Sequence, residues 1–170
     1  MSKMETASGI EIRPYKAGEV GYVPVMHMAL YQSLYHFKPV FEKYLLLGLA
    51  EFIKDPQGSQ LWMAADGEKL IGSIAVCRVD DGTAQLRWFL VDPQYHGQGL
   101  GHRLMTVALA FCQAQGYRHM FLWTADPLKA ARHLYEKFGF VHGEDMPNHE
   151  WTDTLINEER WDLYREPQNR

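Results

Sequence analysis

The stretch Val91–Leu104, VDPQYHGQGLGHRL, decides how the chain is read. Gly97, Gly99 and Gly101 alternate between an apolar, strand-like run and an amphipathic one. Glycine is costly unless the backbone needs unusual dihedrals or something must approach it closely. One glycine would serve a strand-to-helix turn. Three at every second position, at a helix start, point to an anion held by unpaired main-chain N–H groups. His102 and Arg103 add positive charge at the same place. The spacing is not the dinucleotide fingerprint, because the last glycine of G-x-G-x-x-G falls on His102. The preceding strand also ends a hairpin series and does not open a β-α-β unit, so a nucleotide-binding oxidoreductase is a distant option.

Outward from this loop, apolar spacing predicts the elements. Upstream lie a short strand at Ile10–Arg13, helices over Val20–Tyr35 and Val40–Ile53, and strands at Leu61–Ala65, Leu70–Val79 and Ala84–Val91. Asp66-Gly67 and Asp81-Gly82 supply hairpin turns. Downstream, Leu100, Leu104, Val107, Ala108 and Phe111 form one stripe, giving a helix from about Gln98 to Gln115, capped by Gly116. A strand at Met120–Thr124, a shorter helix through Ala131, Leu134, Tyr135 and Phe138, and closing strands around Phe140 and at Arg160–Tyr164 complete the chain. Asp126-Pro127 reads as a turn. The order β-α-α-β-β-β-α-β-α-β-β makes the fold α/β of the mixed-sheet, α+β kind, with helices on the faces. A single domain over 10–165 is expected, with tails at 1–9 and 166–170.

The 170 residues suffice for one core, and 46% hydrophobic with 22% charged residues is a soluble balance. A net charge of −4 argues against nucleic acid as the partner. No run reaches membrane-spanning length and the first residues lack a signal-peptide pattern, so the expected location is cytoplasmic, away from membranes. Cys77 and Cys112 lie far apart and read as reduced, buried thiols. His133, His142 and His149 share no ligand-spaced face, so no metal is expected.

FLVDPQYHGQGLGHRL followed by GYRHMFLWTADPLKAARHLYEKFGF resembles the GNAT superfamily of N-acetyltransferases, whose signature runs strand, Q/R-x-x-G-x-G/A, helix, strand, and a helix ending L-Y-x-x-x-G-F. AQLRWFLVDP, GYRHMFLWT and FEKYLLLGLAEF are similar to the acetyltransferase half of MarR-type regulator–acetyltransferase fusions; no winged-helix segment precedes them, and DNA binding is not expected to carry over. The resemblance covers roughly Ile10 to Tyr164 and implies the GNAT-type mixed, mostly antiparallel central sheet with helices on both faces. It implies acetyl-CoA as the acetyl donor, its pyrophosphate on Gly97, Gln98, Gly99, Leu100, Gly101 and His102, with His96 at the first signature position. It also implies pantetheine paired with the main chain of Phe89, Leu90 and Val91, thioester polarisation by the N–H groups of Leu90 and Val91, and Tyr135 as the general acid for the departing thiolate.

Three departures stand out. His96 replaces the usual Gln or Arg, Leu128 replaces an asparagine seven residues before the tyrosine, and Arg87 and Trp123 occupy positions where relatives keep a carboxylate base. The base is therefore not named by sequence. The first helical pair is dense in His27, Tyr31, Tyr35, His36, Phe37, Phe41 and Tyr44. An aromatic stripe usually means core, but in this family the region roofs the acceptor site. Tyr31, Tyr35 and Phe41, with Trp151 as the opposite wall, are thus the candidates for binding an amine acceptor, whether small molecule or peptide. The expected function is acetyl transfer from acetyl-CoA to a primary amine in a ternary complex, with a homodimer as the candidate assembly. The competing reading is a non-catalytic acyl-CoA-binding sensor or interaction module.

Overall fold

The computed structural model describes residues 9–166, so the expected tails lie outside it apart from Gly9 and Glu166. Seven strands form one sheet: β1 Ile10–Pro14, β2 Gln60–Asp66, β3 Lys69–Arg78, β4 Thr83–Val91, β5 His119–Ala125, β6 Val141–Asn148 and β7 Ile156–Tyr164, in the order β1-β2-β3-β4-β5-β7-β6. Only β4 and β5 pair in parallel. Helices α1 Tyr22–Tyr35 and α2 Val40–Lys54 cover one face, where Val23, Leu45, Leu49 and Phe52 pack on Leu61, Met63, Ala75 and Trp88. On the other face lie α3 Leu100–Gln115 and α4 Lys129–Lys137, with Leu104, Met105, Ala108 and Tyr135 in one cluster with Ile74, Val76, Leu86, Met120 and Leu122. The mixed, mostly antiparallel architecture expected from the sequence is the one observed.

Boundaries differ where local chemistry overrides periodicity. A 3-10 turn at Glu19–Gly21 precedes α1, which starts at Tyr22 and not Val20. Helix α3 starts at Leu100 and not Gln98, since Gly97 and Gly99 both sit at φ +78 in the left-handed region. The closing strands are longer than expected. β6 is exposed at almost every position and carries His142, Glu144 and Asp145 on a sheet edge, so it has no apolar rhythm to read.

The feature that positions the site is a seam in the middle of the sheet. β5 meets β4 only at Thr83–Gln85 against His119–Phe121, and the two strands then part. Just beyond, β4 is bulged: its partners on β3 jump from Ala75↔Arg87 to Ser73↔Leu90, and Trp88 takes φ +50. Such a conformation costs a non-glycine residue about 1–2 kcal/mol and persists only where surroundings hold it. Here the buried Ser73 hydroxyl donates to the Trp88 carbonyl at 2.6 Å, and the indole is buried against the α1–α2 layer. The extra residue adds twist, turning the C-terminal half of β4 away from β5.

Candidate functional site

The seam opens into a cavity of ≈ 840 Å³ lined by both helical layers, the parted strands and the glycine loop. Its size is that of a site for a sizeable organic ligand.

At one end, Asp92 starts a 3-10 turn at Pro93–Tyr95 by accepting from the Gln94 N–H at 2.9 Å. The chain then passes through Gly97 and Gly99 into α3, whose first turn carries no side-chain cap. A Cβ on Gly97 or Gly99 would meet nothing within 4 Å, so these two glycines serve backbone shape and an open approach. Gly101 serves packing: a Cβ there would reach Leu134 and Phe89 at 3.4 Å. Together the loop and helix start offer unpaired N–H groups and the positive end of the helix dipole to an anion. Three side chains behave differently from a simple basic cluster. His96 donates Nε2–H to the Val91 carbonyl at 3.0 Å, Arg103 donates to the Ile10 carbonyl on β1 at 3.1 Å, and His102 lies against Phe138. What the loop has to offer an anion is therefore main-chain donors.

Along the seam, the backbone of β4 past the bulge has no β5 partner. The Asp92 N–H donates to Ile71 on β3 at 2.8 Å, and strand alternation directs Leu90 the same way. The open main-chain groups are then those of Phe89 and the Val91 N–H, the Val91 carbonyl being engaged by His96. Leu90, expected to share this role, has its backbone turned to β3 and its side chain to the cavity.

Tyr135 crosses the seam. Its ring packs with Phe89, Phe140 and Trp161 on the α3–α4 side, at centroid distances of 6.3, 6.2 and 5.9 Å. Tyr135 lines the same cavity as Thr124 on β5 and Tyr31 on α1. Burial pushes its pKa well above the ordinary tyrosine value, Tyr31 adds to this, and the contact with Thr124 opposes it. The hydroxyl is a proton donor throughout the neutral range.

On the α1–α2 side, Tyr31, Tyr35, Phe37, Phe41 and Trp151 form a continuous aromatic wall. Tyr31 stands 5.2 Å from Phe37 and 5.7 Å from Phe41, and Phe41 stands 4.8 Å from Trp151. The Lys38 N–H donates to the Trp151 carbonyl at 2.7 Å, tying the turn between the helices to the β6–β7 loop. His27, beneath this wall, is buried and donates Nδ1–H to the Val23 carbonyl at 2.7 Å. Desolvation lowers its pKa to about 4, so it is neutral.

Two charges line the same chamber, and sequence reasoning gave neither a role. Glu158 on β7 stands opposite Ala125 in the sheet. It is the carboxylate among the lining residues, and burial raises its pKa although Asn148 donates to it at 3.3 Å. It lies outside the closing strand read from the apolar run, so nothing marked it as facing the seam. Arg87 faces α2 from β4. Trp123 and Leu128 line the chamber as well. Away from the cavity, His142, Asp145 and Glu159 bring donor atoms within 4.8 Å of one another, but Arg132 already holds Glu159 and His142 donates to Asp145. No described helix is long and apolar enough to cross a membrane.

Residues 26–140 match the Acetyltransferase (GNAT) family model. Human N-acetyltransferase 8B is 33% identical over 99 residues, covering 55% of this chain and 44% of that protein, so the chain spans under half the length of this curated relative. A Salmonella typhimurium structure solved with its cofactor acetyl-CoA is similar at TM-score 0.71 and 16% identity, covering 95% of this chain and 97% of that one. Spermidine N-acetyltransferase from Vibrio cholerae, in complex with CoA and spermine, is similar at TM-score 0.69 and 18% identity, over 92% and 96%. At these identities the solved structures share the fold. The family model spans well over half of the sequence, and on that ground the chain belongs to the GNAT acetyltransferase family.

Proposed function

We propose that the protein transfers the acetyl group of acetyl-CoA directly to a primary amine bound in the same cavity. The observation that carries this reading is the seam itself: one continuous cavity joins an anion-binding helix start, an unpaired strand edge, a buried phenol and an aromatic chamber with a carboxylate. The donor's pyrophosphate suits the main chain from Gly97 to His102. Its amide-bearing arm suits the open edge of β4 at Phe89 and Val91, as an added strand would. The acceptor enters between Tyr31, Tyr35, Phe41 and Trp151.

An alkylammonium of pKa about 10.4 must lose a proton before attack. Glu158, made more basic by burial, is the group suited to take it, directly or through water. The amine lone pair then forms the C–N bond at the thioester carbon, and the Val91 N–H is suited to the developing oxyanion. As the C–S bond breaks, Tyr135 donates to the sulfur, and the second proton lost from the nitrogen restores the phenol through solvent. The products are the N-acetylated amine and CoA thiol.

The test is thiol release from acetyl-CoA with a mixed amine library. Release that depends on the amine and yields an N-acetyl product supports the reading. Stabilisation by CoA without turnover on any amine would instead make the chain an acyl-CoA-binding module.

A further inference from the structure

Arg87 is a cation without an anionic partner among the described residues. Its guanidinium is partly desolvated, and that burial lowers its pKa. Among the described residues no ion pair or hydrogen bond engages its donors. Unpaired charge out of water is unfavourable, so its retention calls for a ligand. Every element packed against it is accounted for. On β3, Cys77 lies nearby, but burial pushes that thiol up to about 11, leaving it neutral and unable to serve as counter-ion. Beside it on β4, the Trp88 ring receives the guanidinium carbon at 4.7 Å. From α2 it faces Gly48, where a Cβ would come within 2.5 Å of Nη2 and 3.0 Å of Cζ. Glycine is unfavourable in a helix interior, and here it leaves room for the guanidinium to lie flat against the helix. The side chain lines the acceptor chamber.

Glu158 lines that chamber two strands away, across β5. One cavity thus presents a cation on β4 and a carboxylate on β7, with Trp123 of the intervening β5 also in its lining. We propose that Arg87 binds a carboxylate of the acceptor, so that the acceptor is an amphoteric amine of the amino-acid class, its ammonium toward Glu158 and its apolar part against Tyr31, Tyr35 and Phe41. The proposal rests on the acetyltransferase reading for its chemistry. It adds the oxyanion that a planar guanidinium recognises through paired N–H donors.

The experiment pairs aromatic α- and β-amino acids with their decarboxylated amines, using the parent protein, Arg87→Gln and Arg87→Lys. The parent should favour the carboxylated member by tenfold or more in kcat/KM. Arg87→Gln should raise its KM by at least tenfold, collapse that preference and leave the acetyl-CoA KM within twofold. Arg87→Lys, which keeps the charge without the fork, should fall between. Since the residue removed is an unpaired charge, Tm of Arg87→Gln should equal or exceed the parent's, whereas a structural arginine would lower it. Parental preference for the decarboxylated amines, or a rise in the acetyl-CoA KM in place of the acceptor KM, overturns the proposal. If no amine is acetylated, the Tm shift given by the same amino acids to the CoA complex decides. A shift lost in Arg87→Gln keeps the carboxylate site while the acyl-transfer reading falls, and a shift indifferent to Arg87, or absent, removes the site.

Discussion

Tyr135 is 6% exposed, and its ring is fixed by Phe89, Phe140 and Trp161, so only its hydroxyl can be removed without disturbing the core. Tyr135→Phe should therefore leave Tm and CoA binding nearly unchanged and lower kcat by roughly a hundredfold, the low end of general-acid effects because a thiol is a good leaving group. Steady-state rates beside a melting curve check this. Glu158 makes the complementary prediction in pH. Its folded pKa is raised by burial, so the carboxylate form is stabilising neither to the fold nor at neutral pH; its relative contribution is full below the unfolded value and is lost as pH rises through the folded one. Glu158→Gln should thus raise Tm slightly at pH 7. It should also lower kcat/KM and abolish an acidic limb that, in the parent, lies above the ordinary carboxylate range. A pH–rate profile that keeps its limb in the variant would assign the base elsewhere.

At the scale of elements, the glycine loop makes the sharpest claim. Gly99→Asp forces a side chain into φ +78 and sets a negative charge beside the main-chain donors proposed to hold the CoA pyrophosphate. CoA, which should raise the parent's Tm, should raise the variant's little or not at all; an undiminished shift would move the phosphates away from this loop. The loop was legible because its three glycines precede an amphipathic stripe, and most strands and helices were legible from apolar spacing. Other parts were not. The Trp88 bulge depends on a hydroxyl from a neighbouring strand, so no period in β4 announces it. β6 has no buried face, and Glu158 reaches the chamber only through the register of β5 with β7. Arg103, counted as charge for the loop, reaches instead to β1, a contact 93 residues distant in sequence. The aromatic chamber was legible as a cluster in Tyr31, Tyr35 and Phe41, but its closure by Trp151 depends on a backbone hydrogen bond from Lys38.

For the molecule as a whole, stability should depend on pH earlier than carboxylates alone would dictate. His27 is buried and neutral with a folded pKa of about 4, against 6.5 when unfolded. A depressed pKa gives stability that is full above the unfolded value and is lost as pH falls through the folded one, about 3 kcal/mol over that interval. Below it, Glu19, held down by its hydrogen bond from Arg13, extends the loss in the same direction. Asp162 does so too: burial alone would raise it, but Arg160 and His119 bring it down on balance. Tm should decline from about pH 6.5 downward, and His27→Gln should flatten the upper part of that decline. An unaltered curve in the variant would place the acid sensitivity elsewhere.

The seam has a mechanical meaning. Between β4 and β5 the backbone pairing is confined to Thr83–Gln85 with His119–Phe121, so strands β1 to β4 and strands β5 to β7 are laid out as two leaves of a book, stitched by backbone only at the foot of the spine. In the proposed function, a donor molecule lying along Phe89 and Val91 would supply rungs the polypeptide omits. On the proposed reading, binding at that edge would join the two halves of the sheet above the point where their own pairing ends.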